Sequence, residues 1–160
     1  WLMWAKYMKP EDGYVVDEIY IRKAMAKWIL REDLPVCVFR REDGRFIGSS
    51  GLHRMNWETR KFEIGYWVRS DEAGKGYATE VTTALCSYAF EAFNASRVSI
   101  IYSDGNEASR KVIEKVGFEK EEVLRKSDKL PGGEIVDKHL YAMLSPDALP
   151  ELDVNWPGRG

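Results

Sequence analysis

Near the start of the chain, Val16, Ile19, Tyr20, Ala24 and Trp28 recur at helical spacing, with Lys23 on the same face. That pattern predicts an amphipathic helix over residues 14–31. The period then changes. "LPVCVFR" reads as a strand, and Glu42-Asp43-Gly44 marks a hairpin turn whose Asp-Gly pair is its strongest signal. "RFIGSSGLHRM" is the partner strand, with glycines and serines that point to a bulge or a close neighbour. The near-continuous apolar character of "KFEIGYWVR" suits a central strand. Helical period returns with Tyr77, Val81, Leu85, Tyr88 and Ala92, ending near Asn94. "RVSIIYS" follows as a buried strand, then a shorter helix from Asn106 to Val116 stopped by Gly117. "FEKEEVLRKS" and "EIVDKHLYAML" are two further strands, joined by a turn around Pro131-Gly132-Gly133. The predicted order is α-β-β-β-α-β-α-β-β, a mixed sheet flanked by helices.

Composition narrows the classes. The 160 residues suit one domain over 1–160, with a core over 14–144 and a Pro-rich surface tail over 145–160. Hydrophobic residues at 44% and charged residues at 31% fit a water-soluble globular chain. A net charge of -2 argues against general nucleic-acid binding, and no apolar run approaches the ~20 residues of a membrane span. Cys37 and Cys86 lie in apolar segments without a CxxC, so they read as buried thiols of a cytoplasmic protein. Two histidines without paired ligand spacing predict no metal site. The chain begins Trp1-Leu2-Met3-Trp4, without an initiator methionine, and reads as cut from a longer protein.

The chemistry concentrates in "DEAGKGYATE", Asp71 to Glu80. Glycines flank Lys75 between a strand and a helix, which is neither a P-loop nor a GxGxxG. Backbone amides from Gly74 to Ala78, backed by a helix N-terminus and the Lys75 cation, suit a pyrophosphate. On the loop alone, an ordinary strand-to-helix turn reads equally well.

The context separates these readings. "EIGYWVRSDEAGKGYATE" resembles the acyl-CoA-binding core of the GCN5-related N-acetyltransferases, the GNAT superfamily. The family loop Gln/Arg-x-x-Gly-x-Gly/Ala falls on Ala73-Gly74-Lys75-Gly76-Tyr77-Ala78, with Ala73 replacing Gln or Arg. "NEASRKVIEKVGF" resembles the next helix of the branch that holds the ribosomal-protein N-terminal acetyltransferases RimJ and RimL. The resemblance covers about residues 14–144. It implies an α+β fold of α/β/α sandwich type, a mixed and mostly antiparallel sheet flanked by helices, with the first N-terminal strand missing. That loss would favour self-association as a homodimer, or a substitute element over the exposed edge.

The resemblance also implies the reaction: direct acetyl transfer from acetyl-CoA to a primary amine, on a protein N-terminus or a small molecule. An alternative is a non-catalytic CoA-binding domain. Backbone groups on the "YWVR" strand would polarise the thioester carbonyl, with Val68 matching the position that pairs with the pantetheine arm and Trp67 and Arg69 flanking it. Where many members carry a thiolate-protonating tyrosine, seven residues after Asn106, this chain has Ile113. Ser109 is then the thiol-side donor and Asn106 the pantetheine contact, although Asn106 also fits a plain helix N-cap. For the base, Glu63 lies on the central strand, where its flanks Phe62 and Ile64 would desolvate it and raise its pKa; Asp128 falls roughly where RimL-type enzymes place a glutamate in the loop before the last strand, while Glu80 better serves the helix dipole. His53 is an alternative proton acceptor, against the plainer reading of a satisfied strand histidine, and His139 reads the same way. An α-amine, with a reference pKa near ~8 against ~10.4 for lysine, needs the weaker base and fits the absence of an obvious one.

Overall fold

A computed structural model describes residues 13–154, with side chains from residue 18 onward. Three helices and six strands follow the predicted order: α1 (Gly13–Ile29), β1 (Leu34–Phe39), β2 (Phe46–Asn56), β3 (Lys61–Val68), α2 (Tyr77–Phe93), β4 (Arg97–Ser103), α3 (Glu107–Val116), β5 (Glu119–Lys129) and β6 (Ile135–Met143). The strands form one sheet in the order β1-β2-β3-β4-β6-β5. All neighbours run antiparallel except β3 and β4, which α2 joins as a crossover. The expectation about residues before Gly13 lies outside the described residues.

The sheet has two unlike faces. Period-two alternation in β4 buries Val98, Ile100 and Tyr102 and leaves Ser99, Ile101 and Ser103 partly exposed. Phe62 and Ile64 of β3 and Leu52 of β2 join the buried set, which packs on Leu85, Cys86, Ala89 and Phe90 of α2 and Ile113 and Val116 of α3. The other face carries Ser49, Gly51 and His53 of β2 opposite Trp67, Gly65 and Glu63 of β3. Glycine at 48 permits the tight β2–β3 approach, since a Cβ there would stand 2.1 Å from the Trp67 carbonyl oxygen.

Three expectations need correction. The apolar residues of α1 do not form a buried stripe: Ile19, Tyr20 and Trp28 of the expected face are exposed, and Ile21, Met25 and Ile29 spread further apolar surface beyond it. Cys37 is exposed on the edge strand, whereas Cys86 is buried and its thiol is pushed well above the usual range by desolvation. The segment after β6 is not purely superficial, for Leu149 packs against the core.

Candidate active site

Strand direction builds the site. The parallel ladder between β3 and β4 ends at Ile64 and Ile100. Beyond that point β3 continues along β2 to the Gly48–Val68 pair, and β4 continues along β6 to the Ser103–Lys138 pair. The two strands therefore part at their C-terminal ends and open a cleft.

Main-chain groups in the cleft can be assigned by alternation. Ser50 Oγ donates to the Gly65 carbonyl, and the Arg69 N–H donates to the Ile47 carbonyl at 2.9 Å. Together with the Trp67 carbonyl at Gly48, these place Gly65, Trp67 and Arg69 toward β2. Ser99 Oγ donates to the Phe62 carbonyl, so even-numbered residues of β3 address β4. Tyr66 and Val68 thus turn their N–H and C=O groups into the opening, past the last ladder pair. Of the three "YWVR" positions singled out for the cofactor, Val68 alone aims its backbone there. Trp67 packs its ring on Phe46, and the Arg69 guanidinium is held by Asp71.

The glycine turn sits just beyond. After a 3₁₀ turn over Ser70–Glu72, the Ala73 N–H donates to Ser70. Gly74 and Gly76 adopt φ of +78° and +92°, a region that favours glycine, and a Cβ on either would meet nothing within 4 Å. Gly76 caps α2 without any side-chain hydrogen bond, and the first intrahelical bond there runs from the Glu80 N–H to the Gly76 carbonyl. The amides of Gly74, Lys75 and Gly76, and those of Tyr77 and Ala78 in the first helical turn, find no acceptor among the described residues. An open nest of donors at a helix N-terminus fits an anionic diphosphate.

A buried acid fixes the turn, and sequence reading missed it. Glu72 is 2% exposed and accepts from Lys75 Nζ at 2.9 Å, with Arg45 Nε at 3.0 Å and Arg40 at 3.5 Å. The hydrogen bond from Lys75 and the charges of Lys75, Arg40 and Arg45 hold its carboxyl below the usual range, against desolvation. The Lys75 ammonium expected on the phosphate is therefore tied back to Glu72, although it remains half-exposed. The recoverable signal was the run of charges, since Arg40, Arg45 and Glu72 all flank predicted turns.

On the helical side of the cleft, Asn106 caps α3, its side-chain oxygen accepting from the Ser109 N–H at 3.1 Å. The capping reading of Asn106 is thus realised. Ile113 is fully buried in the core. Tyr66, on β3, brings a phenol to the Ser109 side of the cleft. Its hydroxyl is buried without a hydrogen-bond partner among the described residues. Burial pushes its phenol above the usual range, and the neighbouring Ser109 hydroxyl partly offsets that.

The carboxylates of interest lie on the partly exposed face. Glu63 forms an ion pair with Arg54. Its flanks Phe62 and Ile64 point to the opposite face, so they do not enclose it as expected. Asp128 lies within β5 rather than in the following turn. It accepts from Ser103 Oγ at 2.5 Å and sits 3.7 Å from the Lys138 ammonium. His53 Nδ1 is 2.5 Å from Asp33 Oδ1, and His139 Nε2 is 2.5 Å from Asp104 Oδ1 with its ring stacked on Tyr102. No cluster of three or more His, Cys, Asp or Glu suited to a metal ion occurs among the described residues.

Comparison with known proteins agrees with this geometry. Residues 4–119 match the family model described as an acetyltransferase (GNAT) domain. The uncharacterized N-acetyltransferase YoaA of Bacillus subtilis is 35% identical over 107 residues, 67% of this chain and 60% of its own length. A second B. subtilis protein, named "Putative ribosomal N-acetyltransferase YdaF", is 43% identical over 76 residues, 48% of this chain and 42% of its own. The chain thus spans less than two thirds of these curated relatives. Among solved structures, RimL, a ribosomal L7/L12 α-N-protein acetyltransferase in complex with coenzyme A, superposes with a TM-score of 0.73 at 18% identity, covering 78% of this chain and 69% of that one. Spermidine N-acetyltransferase SpeG from Vibrio cholerae gives 0.71 at 20% identity, covering 80% and 74%.

Proposed function

The chain belongs to the acetyltransferase (GNAT) domain family, and from that premise we propose that it transfers the acetyl group of acetyl-CoA to a primary amine, a protein N-terminal α-amine in preference to a small-molecule amine. The observation that carries the reading is the opening of β3 from β4 with the unpaired Val68 backbone inside it, continuous with the amide nest at Gly74–Ala78. The nest would hold the diphosphate, and the Val68 N–H would polarise the thioester carbonyl. Acetyl-CoA supplies an activated acyl group. The amine lone pair attacks its carbonyl carbon, the C–S bond breaks, and sulfur leaves with the electron pair.

Developing charge on sulfur needs a donor. Ser109 hydrogen-bonds to it, with the raised Tyr66 phenol behind as a group that stays protonated at neutral pH. α2 and α3 cover one face of the sheet, so the amine approaches from the other, as the neutral form whose lone pair attacks, past Glu63 and Asp128. The preference for an α-amine is supported by the name of YdaF and by the lower pKa of such amines. No helix among the described residues is long and apolar enough to cross a membrane, which is in keeping with work in the cytoplasm. Thiol release from acetyl-CoA, measured across peptides with free N-terminal Ser or Ala, spermidine and an aminoglycoside, tests the reading. Turnover on the peptides is expected. Turnover confined to spermidine would move the proposal to a polyamine, and tight CoA binding without any turnover would move it to a binding domain.

A further inference from the structure

We propose that His53, oriented by Asp33, accepts the proton that the attacking amine must lose. This rests on the acetyltransfer reading above and names the base that it leaves open.

Four observations carry it. First, the ring lies on the face of the sheet that the amine must use. Glu63 is its cross-strand partner, and a Cβ built on Gly65 would come within 3.2 Å of the ring. Second, the ring occupies space that glycines provide. Gly51 and Gly65 face each other in register, and a Cβ on Gly51 would stand 2.9 Å from His53 Cε1 and 3.0 Å from Nε2. Two facing glycines keep the imidazole flat over the strands at Gly65, one residue beyond the last β3–β4 pair at Ile64. Third, the 2.5 Å contact fixes the tautomer. A carboxylate can only accept, so Nδ1 carries the hydrogen, and in the neutral ring Nε2 keeps a free lone pair. Fourth, the carboxylates that compete for the role are engaged elsewhere: Glu63, across the ladder from His53, with Arg54, and Asp128, on the far edge strand, with Ser103 and Lys138.

The step balances simply. As nitrogen bonds to the acetyl carbon, its proton passes to Nε2, directly or through one water, and thiolate leaves. The imidazolium formed is stabilised by Asp33, which stays ionised. Val68 lies three residues along β3 from Gly65, roughly 10 Å at ~3.3 Å per residue, a span that favours the water-relayed route. The groups that bear on His53 are Asp33 and, 3.8 Å from Asp33, Lys27 of α1; Tyr20, an exposed residue whose phenol is raised first by partial desolvation and then by Asp33 and Cys37; Cys37 itself; and the Glu63–Arg54 pair.

The test pairs spectroscopy with kinetics on the full chain. In ¹⁵N-histidine NMR, His53 is expected as the Nδ1–H tautomer, and Asp33→Asn should abolish that preference. An Nε2–H ring in the parent protein overturns the proposal whatever the activity. For kinetics, the parent kcat/KM on a peptide with a free N-terminal serine is measured against pH. Two groups shape its lower limb, the enzyme base and the peptide's own α-amine near ~8; in His53→Gln the limb is expected to keep only the amine's part, with kcat falling about 10²–10⁴-fold. Acetyl-CoA affinity by calorimetry should be unchanged, which also shows the variant folded. Asp33→Asn should lower kcat together with the tautomer preference while acetyl-CoA affinity stays at the parent value, an effect that a packing role would not produce. A folded His53→Gln with the parent rate and pH profile overturns the proposal while leaving acetyl transfer intact. A parent protein that binds acetyl-CoA and acetylates nothing overturns the acetyltransfer reading itself.

Discussion

Gly76→Asp is the sharpest probe of the glycine turn. At φ +92°, an L-residue carries a backbone cost of about 1–2 kcal/mol. Nothing lies within 4 Å of the new Cβ, so no steric clash with the protein adds to it, and the variant should fold. The carboxylate, however, would project into the space before the amides of Lys75 to Ala78. Two unit charges 4 Å apart at an effective dielectric of 20 repel by about 4 kcal/mol. Allowing for a longer separation and rotamer escape, about 2–4 kcal/mol is a fair range for the lost binding energy. That converts to roughly 30-fold to 10³-fold weaker acetyl-CoA binding.

The assay is titration calorimetry, with Gly76→Ala as the companion. Alanine carries the same φ strain without the charge, so the difference between the variants isolates electrostatics. Raising salt from 0.1 M to 1 M shortens the screening length from about 10 Å to 3 Å and should narrow that difference. A folded Gly76→Asp that binds acetyl-CoA as tightly as the parent would refute the assignment of the diphosphate to this turn. Equal losses in both variants, insensitive to salt, would mean that backbone conformation matters and charge does not.

Other outcomes follow from the same geometry. Ser109→Ala should lower kcat by about 10–10³-fold with acetyl-CoA affinity unchanged, as stopped-flow thiol detection and calorimetry would show; the parent rate in this variant would leave the thiolate to water or Tyr66. Ile113→Tyr places a phenol where the core is closed and should destabilise by about 1–3 kcal/mol in chemical denaturation, so it would not restore a proton donor cleanly. Glu72 has a folded-state pKa below its ordinary 4.5, so its stabilising effect is present in full above that value and is lost as pH falls through the depressed one. Melting curves of Glu72→Gln should accordingly lose less stability than the parent between pH 5 and acid, and parallel curves would refute the ion cluster's role.

What the sequence revealed and what it hid divide along the reach of each signal. Element order was legible because each strand and helix announces itself within about ten residues: alternation in "RVSIIYS", Asp43-Gly44 at the hairpin, Gly117 after α3. The glycine turn was legible for the same reason. The parting of β3 from β4 was not, because it depends on where two ladders end, at Ile64 and Ile100, and no local pattern encodes that. Glu72 shows the same limit. Its burial depends on Arg40 and Arg45 arriving from a different hairpin, and an isolated "SDE" reads as surface.

The acceptor side was the least legible part, for a physical reason. Proton transfer needs a base whose tautomer is fixed and whose lone pair faces the amine. Both conditions are met between residues distant in sequence: Asp33 before β1, His53 on β2, and the facing pair Gly51 and Gly65 on two strands. "GLHRM" alone cannot distinguish a base from a satisfied strand histidine, because the distinction lies in which nitrogen the partner takes. Asp33 takes Nδ1 of His53, so the nitrogen that remains sits over the glycines. At His139 the bonding is reversed: Asp104 takes Nε2 and leaves a buried, unpartnered Nδ1 beneath the Tyr102 stack. Two histidines with aspartate partners therefore differ in kind. One presents its lone pair to the face that the amine must use, the other buries it, and only the first can take a proton from an incoming substrate.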